Sequence, residues 1–295
     1  MSTGSNPRWV SNMNEKDLLL DIAQKCFNFI NPSLNNYFDF SSKLSTQIKV
    51  KELENIQYSF DVEIDNLIKN ELKNLNAKVF SEESGWFETA QNYDYKIIYD
   101  PFCNSSLASK SFREAAMGIS IFTNSNIWLA SLILDYQTGL VGLAQANSLT
   151  RFYQVQTLSE VSISQLDQKQ LSDSWTVITL ESQKERANMQ QYLPLLSKVG
   201  RLIVSSGHIY WLKLAMGAVD VYLDPVVGEE LYEMFAATVA QGAGCKVADK
   251  DGVDFNASEM LSNFESDRHY SYYPVAATSS ELHTEILSYL QGTTL

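Results

Sequence analysis

Cysteine is scarce in this chain: three thiols, Cys26, Cys103 and Cys245, in 295 residues. An odd and sparse set excludes a disulfide framework as the source of stability. Basic residues are also few. Against 35 aspartates and glutamates stand 22 lysines and arginines, a formal net charge of −13. Such a balance disfavours nonspecific binding to nucleic acid or to anionic lipid, both of which need a positive surface. His208, His269 and His283 are the three histidines, and their spacing forms no metal or triad pattern, so they read as structural. The polar stretch 1–7 is followed by no long apolar run, so neither a signal peptide nor a transmembrane helix is expected, and the reading is a cytoplasmic protein with no membrane partner. Gly242-x-Gly244 lacks the third glycine and the preceding strand of a dinucleotide fingerprint. Internal repeats and low-complexity tracts are absent.

What the chain does have is apolar content, 45% of its residues, enough for one large core or two joined ones. Leu18, Leu19, Ile22, Cys26, Phe27 and Ile30 recur at helical spacing, as do Phe60, Ile64, Leu67, Ile68 and Leu72, which predicts two amphipathic helices. Strands follow at 118–121 and 127–133 around a turn at Gln137-Thr138-Gly139. The polar stretch 159–174 reads as a surface connection. It divides an N-terminal subdomain, 1–158, from a C-terminal one, 159–295. The second half alternates: strand 175–180, helix 183–196, strand 201–204, helix 207–216, strand 220–223 and helix 229–240. That alternation predicts a layered α/β architecture. The tyrosines Tyr270, Tyr272 and Tyr273 read as core or interface packing, since an acidic chain has little use for a nucleobase-stacking platform.

Two acidic clusters carry the chemistry. Ser81-Glu82-Glu83-Ser84-Gly85 closes the apolar run Ala77-Lys78-Val79-Phe80, and Asp100-Pro101-Phe102-Cys103-Asn104-Ser105-Ser106 closes Tyr95-Lys96-Ile97-Ile98-Tyr99. Both deliver carboxylates to the ends of neighbouring buried strands, where hard cations such as Mg²⁺ are held by carboxylate and carbonyl oxygens.

These motifs resemble the inositol monophosphatase family of Mg²⁺-dependent, lithium-sensitive sugar and inositol phosphatases. The likeness runs along most of the chain. Ser59-Phe60-Asp61 is similar to the family's Thr-x-x-Asp helix. Arg201 with Ser205-Ser206 and Met216-Gly217-Ala218-Val219-Asp220-Val221-Tyr222 are similar to its Arg-x-x-Gly-Ser/Thr and Gly-x-x-Asp-x-Tyr segments. Gln241-Gly242-Ala243-Gly244 stands where the family has Glu-Ala-Gly-Gly, and Ala276-Ala277-Thr278 with Leu282-His283 resembles its closing strand and helix.

The resemblance implies an α-β-α-β-α sandwich, a homodimer and a small phosphorylated metabolite as substrate. It places the first Mg²⁺ on Glu82, Asp100, the Phe102 carbonyl and Ser105. Asp61 and the Ser105 hydroxyl become the pair that orients the attacking water, the general-base logic of metal-assisted hydrolysis. Backbone N–H groups of Asn104, Ser105 and Ser106 would open a helix through Leu107, Phe112 and Ala115 and receive the phosphate. Asp224 falls where a carboxylate binds a substrate hydroxyl.

The second metal position is altered. Its motif aspartate is Cys103, and ungapped counting from Asp220 puts its third aspartate at Leu231; a one-residue slip makes Glu230 a substitute ligand. Cys103 is either a soft-metal ligand or a small apolar filler. Three readings stand: a phosphomonoesterase acting on a sugar, inositol or nucleotide phosphate with one Mg²⁺ in place; a divergent member that binds, regulates or runs other chemistry; and a plain structural protein.

Overall fold

A computed structural model describes residues 14–34, 47–49, 56–108, 114–163, 166–180, 183–267 and 270–292. Helix α1 (Glu15–Leu34) and helix α2 (Ser59–Leu72) bury the apolar stripes expected of them, with Leu19, Ile22, Cys26, Ile30, Ile64, Ile68 and Leu72 fully enclosed. Short strands β1 (Gln47–Lys49) and β2 (Ile56–Tyr58) pair as an antiparallel ribbon before α2.

The first large sheet has eight strands: β3 (Ala77–Ser81), β4 (Gly85–Glu88), β5 (Tyr95–Cys103), β6 (Ala116–Thr123), β7 (Trp128–Asp135), β8 (Leu140–Gln145), β9 (Arg151–Gln154) and β10 (Ser159–Val161). Their spatial order is β10-β9-β8-β7-β6-β5-β3-β4. Only β3 and β5 run parallel. Residues 159–161, read from sequence as part of a surface connection, form the edge strand beside β9. The first acidic cluster is a hairpin turn, with Ser81 paired to Gly85 across Glu82-Glu83-Ser84. After β5 comes a four-residue helix, α3 (Ser105–Ala108). Of the longer helix expected through Leu107, Phe112 and Ala115, Leu107 is helical, Ala115 is not and lies in irregular backbone just before β6, and Phe112 falls outside the described residues.

The second sheet follows as β11 (Trp175–Ile178), β12 (Arg201–Val204), β13 (Val221–Leu223), β14 (Lys246–Asp249) and β15 (Pro274–Ala277), in the order β12-β11-β13-β15-β14. β11 is parallel to both neighbours, and β15 is antiparallel to both of its own. The helices of this half are α4 (Gln183–Asn188), α5 (Leu193–Leu196), α6 (His208–Ala215), α7 (Leu231–Met234), α8 (Ala237–Gly242), α9 (Ala257–Ser266) and α10 (Ser280–Leu290). Two expected helices are broken. The span 183–196 splits because Pro194 lacks an N–H to continue the ladder and sits in the first turn of α5. The span 229–240 splits at Phe235 and Ala236, both buried.

Packing makes five layers. α1 and α2 cover one face of the first sheet, and α6 and α8 lie between the sheets around Trp211, Tyr222 and Phe235. α10 and α5 close the outer face of the second sheet over Leu223, Val275 and Leu282. The result is the α-β-α-β-α sandwich. The segments that follow the parallel strands β5 and β12 meet, Asn104 bonding to Ser206 and Cys103 to His208.

Candidate active site

Parallel register brings the two acidic clusters together. Ser81 pairs with Tyr99, and the Glu82 N–H continues the ladder onto the Tyr99 carbonyl at 3.1 Å, which sets Glu82 beside Asp100. β5 then runs on past the end of β3. Pro101 has no N–H to offer a neighbour, and it sits where β3 has ended and the register with β6 shifts between Asp100 and Cys103. Asp100 is 1% exposed. Its Oδ1 accepts the Phe102 N–H at 2.8 Å, and the strand register sets the Glu82 carboxyl next to it. Burial raises both acids above their ordinary range, and the Asp100 charge pushes Glu82 further. Two neighbouring carboxyls, Asp100 buried and Glu82 half-buried, form a cradle for a cation. On this side every donor is oxygen, so Mg²⁺ fits.

Three contacts stitch the second half onto this strand end. The Tyr232 hydroxyl donates to Glu82 Oε1 at 3.3 Å. Asn104, in the left-handed region at φ 68°, donates its amide to the Ser206 carbonyl at 3.0 Å and to the Glu114 carbonyl at 3.1 Å. The His208 N–H donates to Cys103 Sγ at 3.4 Å. Asn104 therefore clamps two halves of the chain with its side chain. Ser105 and Ser106 begin α3, the first half-buried and the second exposed.

Beside the acid pair lies a cleft of about 380 Å³ lined by Thr179, Ser206, Asp224, Glu229, Glu230, Tyr232 and Glu233 among others. It opens at the carboxyl ends of β11, β12 and β13, the usual place for a ligand in an open sheet with parallel strands. No lysine or arginine is among the described residues lining it. Asp224 is buried, and its Oδ1 accepts the Gly228 N–H at 3.2 Å, so the carboxylate also fixes the loop that holds Pro225. Glu229 is clamped by the Tyr222 hydroxyl and by the Trp211 Nε1–H at 3.1 Å. Burial, then the charge of Asp224, pushes its carboxyl up to about 8. Glu233 is raised as well, by burial and then by Glu229 and Glu82.

The sequence-derived site residues fall into place unevenly. Glu82, Asp100 and Cys103 converge, and Phe102 is buried between them and the helices, its ring stacked on Phe60 and Tyr136. Asp61 is buried in the first turn of α2. Glu230 is exposed on the cleft wall immediately before α7, which Leu231 opens.

His208 corrects the reading of the histidines. Its spacing gave no metal pattern, yet it is fully buried with Nδ1 3.5 Å from Asp100 Oδ2, and Asp100, Cys103 and His208 place their ligand atoms within 4.8 Å of one another. Nothing in the local sequence signals this, because the partner thiol is 105 positions away. Thr179 was missed too. Its hydroxyl is buried in the cleft wall without a hydrogen-bond partner. His283 is structural as expected, its Nε2 3.2 Å from the Val275 carbonyl, and His269 lies outside the described residues. Tyr272 is core, packed edge-on against Phe255.

No protein-family model and no curated protein matches the sequence. Solved structures do match. A Thermotoga maritima inositol monophosphatase superposes with a TM-score of 0.72 at 14% identity, over 95% of this chain and 98% of that one. The extragenic suppressor protein SuhB of Bartonella henselae gives 0.73 at 13% identity, over 95% and 99%. A Pyrococcus horikoshii protein described as similar to inositol-1 monophosphatase gives 0.69 at 19%, over 92% and 96%. The fold is that of the inositol monophosphatase-like proteins. Among the described residues, no helix is long and apolar enough to cross a membrane.

Proposed function

We propose that this chain is a cation-dependent phosphomonoesterase, acting on a small sugar-, inositol- or nucleotide-type phosphate with one Mg²⁺. The observation that carries the reading is the acid pair, Glu82 and Asp100, set side by side at the ends of adjacent parallel strands. Glu82, Asp100, the Phe102 carbonyl and Ser105 would hold the ion. When bound it supplies charge neutralisation for the phosphoryl oxygens and acidifies a water. An acidic cleft without a lysine or arginine repels a phosphate dianion, so substrate entry depends on that neutralisation.

The remaining work belongs to the chain's own groups. Asp61 and the Ser105 hydroxyl would orient the attacking water and take its proton. Backbone N–H groups from Asn104 to Ser106 would contact the phosphate, and Asp224 and the unpartnered Thr179 hydroxyl would meet the substrate's own hydroxyls. Glu230, one residue before the position of the missing third aspartate and on the cleft wall, would be its substitute ligand. The reading includes a cytoplasmic homodimer with neither nucleic acid nor membrane as partner.

One observation favours a second reading. Cys103 and His208 fill the flank where the resemblance puts a second Mg²⁺, and a member without that ion could bind a phosphorylated metabolite without hydrolysing it. Assays on a panel of phosphomonoesters with Mg²⁺ and with EDTA decide between them. The first reading expects turnover that EDTA abolishes. A Mg²⁺-dependent rise in melting temperature with no turnover on any ester supports the second.

A further inference from the structure

We propose that Asp100, Cys103 and His208 form a site for a divalent d-block cation of the zinc class, distinct in donor chemistry from the Mg²⁺ seat at Glu82. The proposal deepens the cation-site reading above, because Asp100 belongs to both.

The tautomer of His208 follows from its surroundings. Nε2 lies 3.2 Å from the Tyr232 carbonyl, which only accepts, so Nε2 carries the hydrogen. In a neutral imidazole Nδ1 then bears the lone pair. Nδ1 makes no hydrogen bond although the ring is fully buried, and it points at Asp100 Oδ2 from 3.5 Å. A ring whose distal N–H is held by a backbone carbonyl while its other nitrogen faces a carboxylate has the orientation of a metal-ligating histidine.

Distances agree with an ion between the groups. Nitrogen and oxygen ligands about 2.0–2.2 Å from Zn²⁺ at tetrahedral angles stand roughly 3.4 Å apart, and the nitrogen and oxygen here are 3.5 Å apart. The sulfur is within 4.8 Å of both, and the His208 N–H donates to it.

The cluster also occupies space that only glycine leaves open. A Cβ on Gly118, the β6 partner of Asp100, would stand 2.5 Å from His208 Cε1, and one on Gly207 would stand 2.5 Å from Cys103 Sγ.

Thiolate and imidazole select Zn²⁺ and its d-block neighbours over Mg²⁺, whose hard octahedral shell wants oxygen. Binding displaces the Cys103 thiol proton to solvent, so uptake weakens as pH falls. Tyr232 and Glu233, next to the cluster, line the cleft and give the ion and a completing water a path in.

The test is a Co²⁺ titration of the full chain, freed of metal first. One equivalent should produce a near-ultraviolet sulfur-to-cobalt charge-transfer band and the visible bands of four-coordinate Co²⁺, and Zn²⁺ should displace it. Cys103→Ser should abolish the charge-transfer band. His208→Gln should weaken binding by roughly a hundredfold or more, since even outer partners of ligands are worth about 10–100-fold. A Cys26→Ser/Cys245→Ser variant should keep the band. Wild type without a charge-transfer band, or a band that survives Cys103→Ser, overturns the proposal, and the wild-type spectrum decides even if a variant fails to fold. Thermal melts with Mg²⁺ separate the two sites. A Mg²⁺ response without the cobalt band removes this inference alone, while a cobalt band without a Mg²⁺ response sustains it and removes the Mg²⁺ seat.

Discussion

Asp100 has two unlike flanks. Toward β3 it meets Glu82, another carboxyl on a strand end, in a setting made of oxygen donors. Toward α6 it meets a thiol and an imidazole, both buried. The first flank is built within one sheet by adjacent strands in register. The second is built by tertiary packing, when α6 docks on the end of β5 and threads His208 over Gly118. A single carboxylate shared between hard and soft neighbours means that cation identity, and not merely occupancy, distinguishes the two sides.

The largest effect should come from removing what the flanks share. Asp100→Asn is expected to eliminate Mg²⁺-dependent stabilisation, Co²⁺ binding and any phosphatase activity together. Wild type at a Mg²⁺ concentration a hundredfold above Kd should gain about 2.7 kcal/mol, read from denaturant unfolding with and without the ion, and the variant should gain none. A variant that keeps one response while losing the other would show that the flanks do not share the carboxylate.

A smaller effect should follow from making the flanks alike. His208 is fully buried 3.5 Å from Asp100 on the flank that Cys103 occupies, so the informative variant is Cys103→Asp/Leu231→Asp/His208→Ala. With oxygen donors on both sides it should take up a second Mg²⁺, gain lithium sensitivity and hydrolyse a sugar or inositol phosphate on the order of a hundredfold faster. Steady-state kinetics and calorimetric Mg²⁺ stoichiometry read the result. Two bound ions with unchanged turnover would locate the divergence elsewhere in the cleft.

Legibility followed the same division. The amphipathic helices, the acidic strand ends and the alternation of the second half are local patterns, and α1, α2, β3, β5, β11 and α6 lie where periodicity put them. The pairing of Glu82 with Asp100 was readable because parallel neighbours in register bring their following residues together. What depended on packing was hidden. The break at Pro194 was a local signal passed over, whereas the break at Phe235-Ala236 and above all His208 beside a thiol far away in sequence are set by how layers dock, and no spacing encodes that.

The smallest effect concerns an acid of the cleft wall away from Asp100. Glu229 is raised to about 8 by burial and by Asp224, while the unfolded chain titrates it near the ordinary value of about 4.3. The folded state thus binds the extra proton between these values. Its contribution is fully present below about pH 4.3 and is lost as pH rises through about 8. Glu229→Gln should flatten the fall in stability over that window, measured by unfolding at a series of pH values, with the amide oxygen accepting the Trp211 Nε1–H and the amide NH2 donating to the Tyr222 hydroxyl. An unchanged slope would mean that the carboxyl is ionised throughout.

The most direct test of the two-flank account is anomalous diffraction from crystals soaked in Zn²⁺ and, separately, Mn²⁺ as an oxygen-seeking stand-in for Mg²⁺. The account expects Zn²⁺ between Asp100, Cys103 and His208, and Mn²⁺ between Glu82 and Asp100. Both ions at one position, or Zn²⁺ bound without the sulfur and the imidazole, would contradict it.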